Sequence, residues 1–331
     1  KGSGGQAFWY NADIVNCHFK FSPTISGRVI LFSEGTYNDG NINHTNATIR
    51  VKGCVFESAS PNGVIEATWD TVTYEAQSSN YIVSFSMDEC ETIGTMEVNG
   101  FTDVTMSNSK FGKAQIKNAG TSSWVGTEIG VANRRTSVKI AGCEIGSDSW
   151  ELPWALDIGT KVALPGTDLY LPNTSSVWSS AHASVQVTGC KIINFWGQEG
   201  GSGQSPYRAI QIMADGSAHV TGNEVHIHAN TTTASTNRDR VIAIGAKNSV
   251  HCNNNTIYIT GGTGAYELLK YGNGDHGKAN SFITIDTNNG NASFCQNSVW
   301  MDEREFHPFL GQANETAPAY VYKAYHGASS Y

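Results

Sequence analysis

Apolar and polar residues alternate with a period of two over short stretches of this chain, and one such stretch keeps returning. It reads DIVNCHF at 13–19, RVKGCVF at 50–56, TMSNSKF at 105–111, KIAGCEI at 139–145 and QVTGCKI at 186–192. It continues as HVTGNEV at 219–225, HCNNNTI at 251–257 and SFCQNSV at 293–299, with SMDECET at 86–92 a looser copy. The common rule is apolar, any residue, Gly or Asn, then Cys, Asn or Ser, any residue, apolar. The fourth element falls at Cys17, Cys54, Cys90, Ser109, Cys143, Cys190, Asn223, Asn255 and Asn297. The best copies lie 32 to 34 residues apart, as from Asn223 to Asn255 and from Ser109 to Cys143. Self-similarity at a fixed period of this size is the signature of a repeat architecture in which each unit packs on its neighbours.

The period-two alternation and the β-branched residues predict strands rather than helices. A second short strand precedes most copies, as in WALDI (154–158), AIQI (209–212), VIAI (241–244) and FITI (282–285). Strands bent at a Gly/Asn corner, where a positive φ is tolerated, predict an all-β fold: a single-stranded right-handed parallel β-helix, a solenoid of three short strands per coil with loop insertions. The expected organisation is an N-terminal edge or linker remnant over 1–10, the β-helix over 11–301 and a C-terminal capping segment over 302–331. Coils about 4.8 Å apart stack like residues into ladders. Asn223, Asn255 and Asn297 then form an inward amide ladder, and Phe19, Phe56, Phe111, Ile145, Ile192, Val225, Ile257 and Val299 an apolar column. The cysteines in the same column read as small buried hydrophobes; a Cys143–Cys190 disulfide is the rival reading, because adjacent coils meet the distance requirement. The alternating Lys110, Glu144, Lys191 and Glu224 predict a cross-coil ion ladder that specifies register, at roughly 0.2–1 kcal/mol per pair.

Composition narrows the function. Of 331 residues only 15% are charged and 39% are apolar, with 35 glycines, which suits an all-β chain with many turns. A net charge of −8 and the lack of a basic stripe argue against nucleic acid as a partner. No apolar run is long enough for a helical membrane span, so no membrane insertion is expected.

The Gly-Cys and Gly-Asn corners over about residues 11–300 resemble the pectin-lyase-like superfamily of right-handed β-helices, which includes pectate lyases, polygalacturonases and phage tailspikes. That resemblance implies the fold and a polysaccharide or glycan partner, with an extracellular or cell-surface location. It transfers no catalytic residue: no Asp-Asp pair occurs anywhere, and GDHGK (274–278) only partly echoes the Gly-His-Gly signature of the polygalacturonases.

Glycan hydrolysis needs two carboxylates about 5 Å apart or several Å further, and a lyase needs a base with a cation or Arg to stabilise the dianion. Alternation points Glu128, Asp157, Gln211 and Asp286 outward, so Glu128, Asp157 and Asp286 are the candidate catalytic carboxylates; an ordinary solvated face is the more economical reading of them. Arg238 and Arg240, beside Asp239 and near Lys247, have the chemistry to grip a uronate, or form surface ion pairs. His219 is expected to stack on His251, and His226 and His228 share an outer face, with no third ligand at zinc-like spacing. His226, Tyr258 and Trp300 form an outward aromatic column suited to sugars, or one buried beneath a loop. Trp150, Trp154, Trp178 and Trp196 gather around the insertion 159–183, Trp178 within it, and Trp154 and Trp196 either line a cleft or anchor the loop. No acidic calcium-loop motif is present, and no cofactor is expected. The readings are therefore a polysaccharide lyase or glycoside hydrolase, a non-catalytic glycan-binding adhesin, or a trimeric tailspike fragment.

Overall fold

The computed structural model describes residues 10–20, 27–33, 47–57, 64–70, 83–117, 136–151, 154–159, 182–196, 207–229, 240–246, 248–261, 266–271, 280–287, 291–301, 306–307 and 327–329. Among these every regular element is a strand. The chain is all-β, with parallel strands in long stacked sheets, an arrangement compatible with a parallel β-helix.

The repeat sets the pairing. Each copy contributes a strand before the corner and another after it, and each pairs in parallel with its equivalents in the neighbouring copies. Before the corner Val138, for example, pairs with Val104 on one side and Val185 on the other. After it, Ile192 lies between Ile145 and Val225. A third ribbon carries the preceding strands, where Leu156 pairs with Ile210, Ile210 with Ile242 and Ile242 with Ile283. The long strands Glu91–Asn99, Lys110–Lys117 and Arg208–Thr221 each run through two ribbons. At the far end Tyr266–Tyr271 pairs on Asn280–Thr287 and in turn receives Phe306–His307, while Gly327–Ser329 lies antiparallel on Ser298–Met301.

All nine corners behave alike. Asn16, Gly53, Glu89, Asn108, Gly142, Gly189, Gly222, Asn254 and Gln296 have φ between 47° and 68°. Glu89 and Gln296 show that the left-handed turn is held even where the sequence supplies neither Gly nor Asn. The next residue points inward, and at six of the nine corners its backbone N–H donates to the side chain one copy later. Cys17 N donates to Cys54 Sγ at 3.4 Å, Cys90 N to Ser109 Oγ at 3.0 Å and Cys190 N to Asn223 Oδ1 at 2.9 Å. Asn223 N donates to Asn255 Oδ1 at 3.1 Å and Asn255 N to Asn297 Oδ1 at 2.9 Å. Cys, Ser and Asn recur because each is small and carries an acceptor that satisfies an otherwise orphaned buried N–H.

All seven cysteines are free thiols. Burial pushes Cys90 up to about 11, and a thiol–thiol hydrogen bond to Cys190, with burial, raises Cys143 as well. The core is the stack of inward Val, Ile and Phe side chains, each contributing roughly 1.5–3 kcal/mol on burial. The expected apolar column is present with one insertion, since Thr92 stands between Phe56 and Phe111. The ion ladder is also in register, from Glu91 through Lys110, Glu144 and Lys191 to Glu224, with Lys110 Nζ 3.0 Å from Glu144.

Candidate functional site

The strands Lys191–Trp196, Glu224–Ala229 and Thr256–Thr260, each after a corner, alternate strictly, so one face enters the core and the other meets solvent. On Glu224–Ala229 the residues Val225, Ile227 and Ala229 are buried, which turns Glu224, His226 and His228 outward. In-register stacking then builds columns. His226 pairs with Ile193 behind and Tyr258 ahead, and Tyr258 with Trp300. Two residues along, Phe195, His228 and Thr260 form a second column. Between the columns lies a groove of about 390 Å3, lined by Asp148, Lys191, Ile193, His226, His228, Tyr258 and Thr260 with Ile227 beneath.

The rings are ordered. His226 and Tyr258 stack with centroids 4.8 Å apart and planes 17° from parallel, and Phe195 and His228 with centroids 5.5 Å apart. His226 Nε2 is hydrogen-bonded to Glu224 Oε1 on its own strand, and His228 Nδ1 lies 3.1 Å from Thr260 Oγ1. Trp300 is 50% exposed. Its partner across the antiparallel pair is Gly327, which contributes no side chain to cover the indole.

Asp157, expected on a solvated carboxylate face, is buried instead. Asp157 does alternate with core-facing Leu156 and Ile158, yet it is only 1% exposed. Gln115 and Gln211 share its column and are buried too. The reason is that this ribbon is covered on both sides: Arg240–Ala246 is buried at every position. Gln115 Nε2 donates to Asp157 Oδ2 at 2.8 Å, and Arg208 donates to Gln211, as buried polar groups require. Asp286 pairs with Gly245, two positions beyond Thr284, which continues the Asp157 column three copies on. That offset places the two backbones at least about 14 Å apart, beyond the roughly 5–9.5 Å of glycosidase carboxylate pairs. Glu128 and Arg238 lie outside the described residues.

Arg240, expected at the surface, is 1% exposed and in register with buried Arg208. Trp196 is likewise a correction: rather than lining a cleft it is fully buried, stacked on Tyr207 with centroids 5.9 Å apart. Trp154 is half-buried under the Lys113 ammonium, 3.4 Å from the ring centroid. His219 and His251 stack at 4.5 Å on the outer face before the corner, and burial, with the neighbouring His251, lowers the His219 pKa. Among the described residues no three His, Cys, Asp or Glu side chains converge on a metal position.

Two features escape a residue-by-residue reading. Asp148, Lys191, Ile193 and Thr260 join the groove although none stands out locally. Before the corners an outward column runs Ser84, Asp103, Ser137, Ser184, Ser217, Ser249 and Asn291. Ser137 Oγ donates to Asp103 Oδ1 at 2.6 Å and Ser249 Oγ to Ser217 Oγ at 2.9 Å. The repeated Ser-Val or Ser-Ala two residues ahead of the motif was its visible signal.

Among the described residues no helix is long and apolar enough to cross a membrane. No protein-family model, curated protein or solved structure matches the chain.

Proposed function

We propose that the chain winds as a right-handed, single-stranded parallel β-helix of the pectin-lyase-like kind and acts outside the cell or at its surface as a glycan-binding protein. The groove beside His226 and Tyr258 is the binding face. The observation that carries this reading is the in-register column His226, Tyr258 and Trp300 on a solvent-facing ribbon, ending in a half-exposed indole. Sugars offer apolar C–H faces and many hydroxyls, and the column supplies an aromatic surface beside hydrogen-bonding ring edges. Glycan-array binding that is weakened in Trp300→Ala and Tyr258→Ala, with unchanged circular dichroism, is the expected result. Array binding equal to wild type in both variants refutes the site.

A second reading, cleavage of the bound glycan, draws on the hydrogen bond between His226 and Glu224. A carboxylate that orients an imidazole is the arrangement a general base requires. Release of new reducing ends or unsaturated products by wild type, abolished in His226→Ala, supports catalysis; binding without turnover leaves the lectin-like reading.

A further inference from the structure

The groove's ligand can be specified further, on the premise that it binds a glycan at all. Rings stacked at 4.8 Å and 17° across neighbouring copies turn their faces toward each other along the stacking axis and their edges toward solvent. His226 and Tyr258 therefore cannot offer ring faces to a sugar laid over them. They offer nitrogen and hydroxyl edges, which hydrogen-bond. A free ring face is available at Trp300, where the adjoining strand contributes only Gly327.

Charge is the second constraint. Lys191 is the cation lining the groove, and it sits in register between Glu144 and Glu224, with Asp148 on the same wall. Along the whole ladder with Asp148, four carboxylates (Glu91, Glu144, Asp148 and Glu224) face two ammonium groups (Lys110, paired with Glu144, and Lys191), which leaves this surface net negative and disfavours polyanions.

Length is the third. Asp148, Lys191, His226, Tyr258 and Trp300 each lie on one of five successive copies of the repeat, with Ile193, His226, Tyr258 and Trp300 in one in-register column. Four spacings of about 4.8 Å span about 19 Å, room for about four pyranose rings at roughly one ring per spacing.

We infer that the groove takes an uncharged linear glycan, about four sugars long, lying along the stacking axis with one sugar packed on Trp300 and the others hydrogen-bonded to the ring edges. Uronate polymers are excluded from it by charge.

Calorimetric titration of the full chain with neutral oligosaccharides of two to six sugars (cello-, xylo- and manno-series) and with oligogalacturonates of the same lengths tests this. Affinity for one neutral series is expected to rise up to about four sugars and then level off, and to change little with salt. Oligogalacturonates should bind at least about tenfold more weakly. Trp300→Ala should lower neutral affinity by roughly two- to tenfold, and Glu144→Gln should raise oligogalacturonate affinity. No binding of any carbohydrate overturns the glycan reading and this inference with it. Oligogalacturonate binding as tight as neutral, or affinity independent of length, overturns the inference alone and leaves the glycan reading standing.

Discussion

Asn255 offers the sharpest test of the stacked-column architecture. Its side chain is fully buried. Nδ2 donates to Val220 O at 2.9 Å and to Asn297 Oδ1 at 3.0 Å, while Oδ1 accepts from Asn223 N at 3.1 Å and Asn223 Nδ2 at 2.9 Å. In Asn255→Ala two of these partners retain other bonds: Asn223 Nδ2 still reaches Val187 O at 3.0 Å, and Asn297 Oδ1 still receives Asn255 N. The Asn223 N–H loses its acceptor, while Val220 O keeps its place in the strand ladder between two in-register neighbours. A buried unsatisfied group costs about 1–3 kcal/mol, so the loss is about 1–3 kcal/mol. Asn255→Cys restores an acceptor, since Cys54 and Cys90 accept the equivalent N–H at 3.4 and 3.5 Å elsewhere in the column. That variant leaves no corner amide orphaned and should lose clearly less. Urea denaturation followed by circular dichroism at several wavelengths gives both values and checks that the transition is cooperative. Equal losses in the two variants, or a loss below about 1 kcal/mol in Asn255→Ala, would refute the claim that the column works by satisfying corner amides.

Other consequences are as direct. An added Cβ at Gly146 (φ 113°) would lie 1.7 Å from Ile193 O, whereas at Gly189 (φ 61°) it meets nothing within 4 Å. Gly189→Ala should therefore cost about 1–2 kcal/mol of left-handed strain and Gly146→Ala clearly more; equal melting temperatures would contradict this. His219 titrates below its ordinary 6.5 in the folded state, so its contribution is fully present above pH 6.5 and falls away as pH drops below it toward the folded value. His219→Gln should flatten the fall in stability over that window, and an unchanged slope would exclude His219 as its source. Under native conditions iodoacetamide should reach half-buried Cys17 and Cys295 first, while Cys54, Cys90, Cys143, Cys190 and Cys252 label only after unfolding. Mass spectrometry finding a native Cys143–Cys190 disulfide would reverse the thiol assignment.

The corner motif was legible because everything it needs is local: a residue that tolerates positive φ, then a small acceptor, then an inward apolar residue. Repetition of that local rule was enough to place nine copies in the right order and to align the Lys110, Glu144, Lys191 and Glu224 ladder. It was also enough to put His226, Tyr258 and Trp300 in one column. The limits appear at Asp157 and Trp196. Alternation correctly set Asp157 opposite Leu156 and Ile158, but a side chain that points away from the core is exposed only if nothing lies over it. Arg240 fails for the same reason.

The amino-acid sequence alone determined the strands, the corners and the register between copies, because these follow from periodicity and from φ preferences within a few residues. Only the tertiary structure decided which outer face is open and which is covered, how the stacked rings turn their edges outward, and which charges surround Lys191. Those depend on segments tens of residues apart meeting in space, and no local pattern encodes what will be laid over a given side chain.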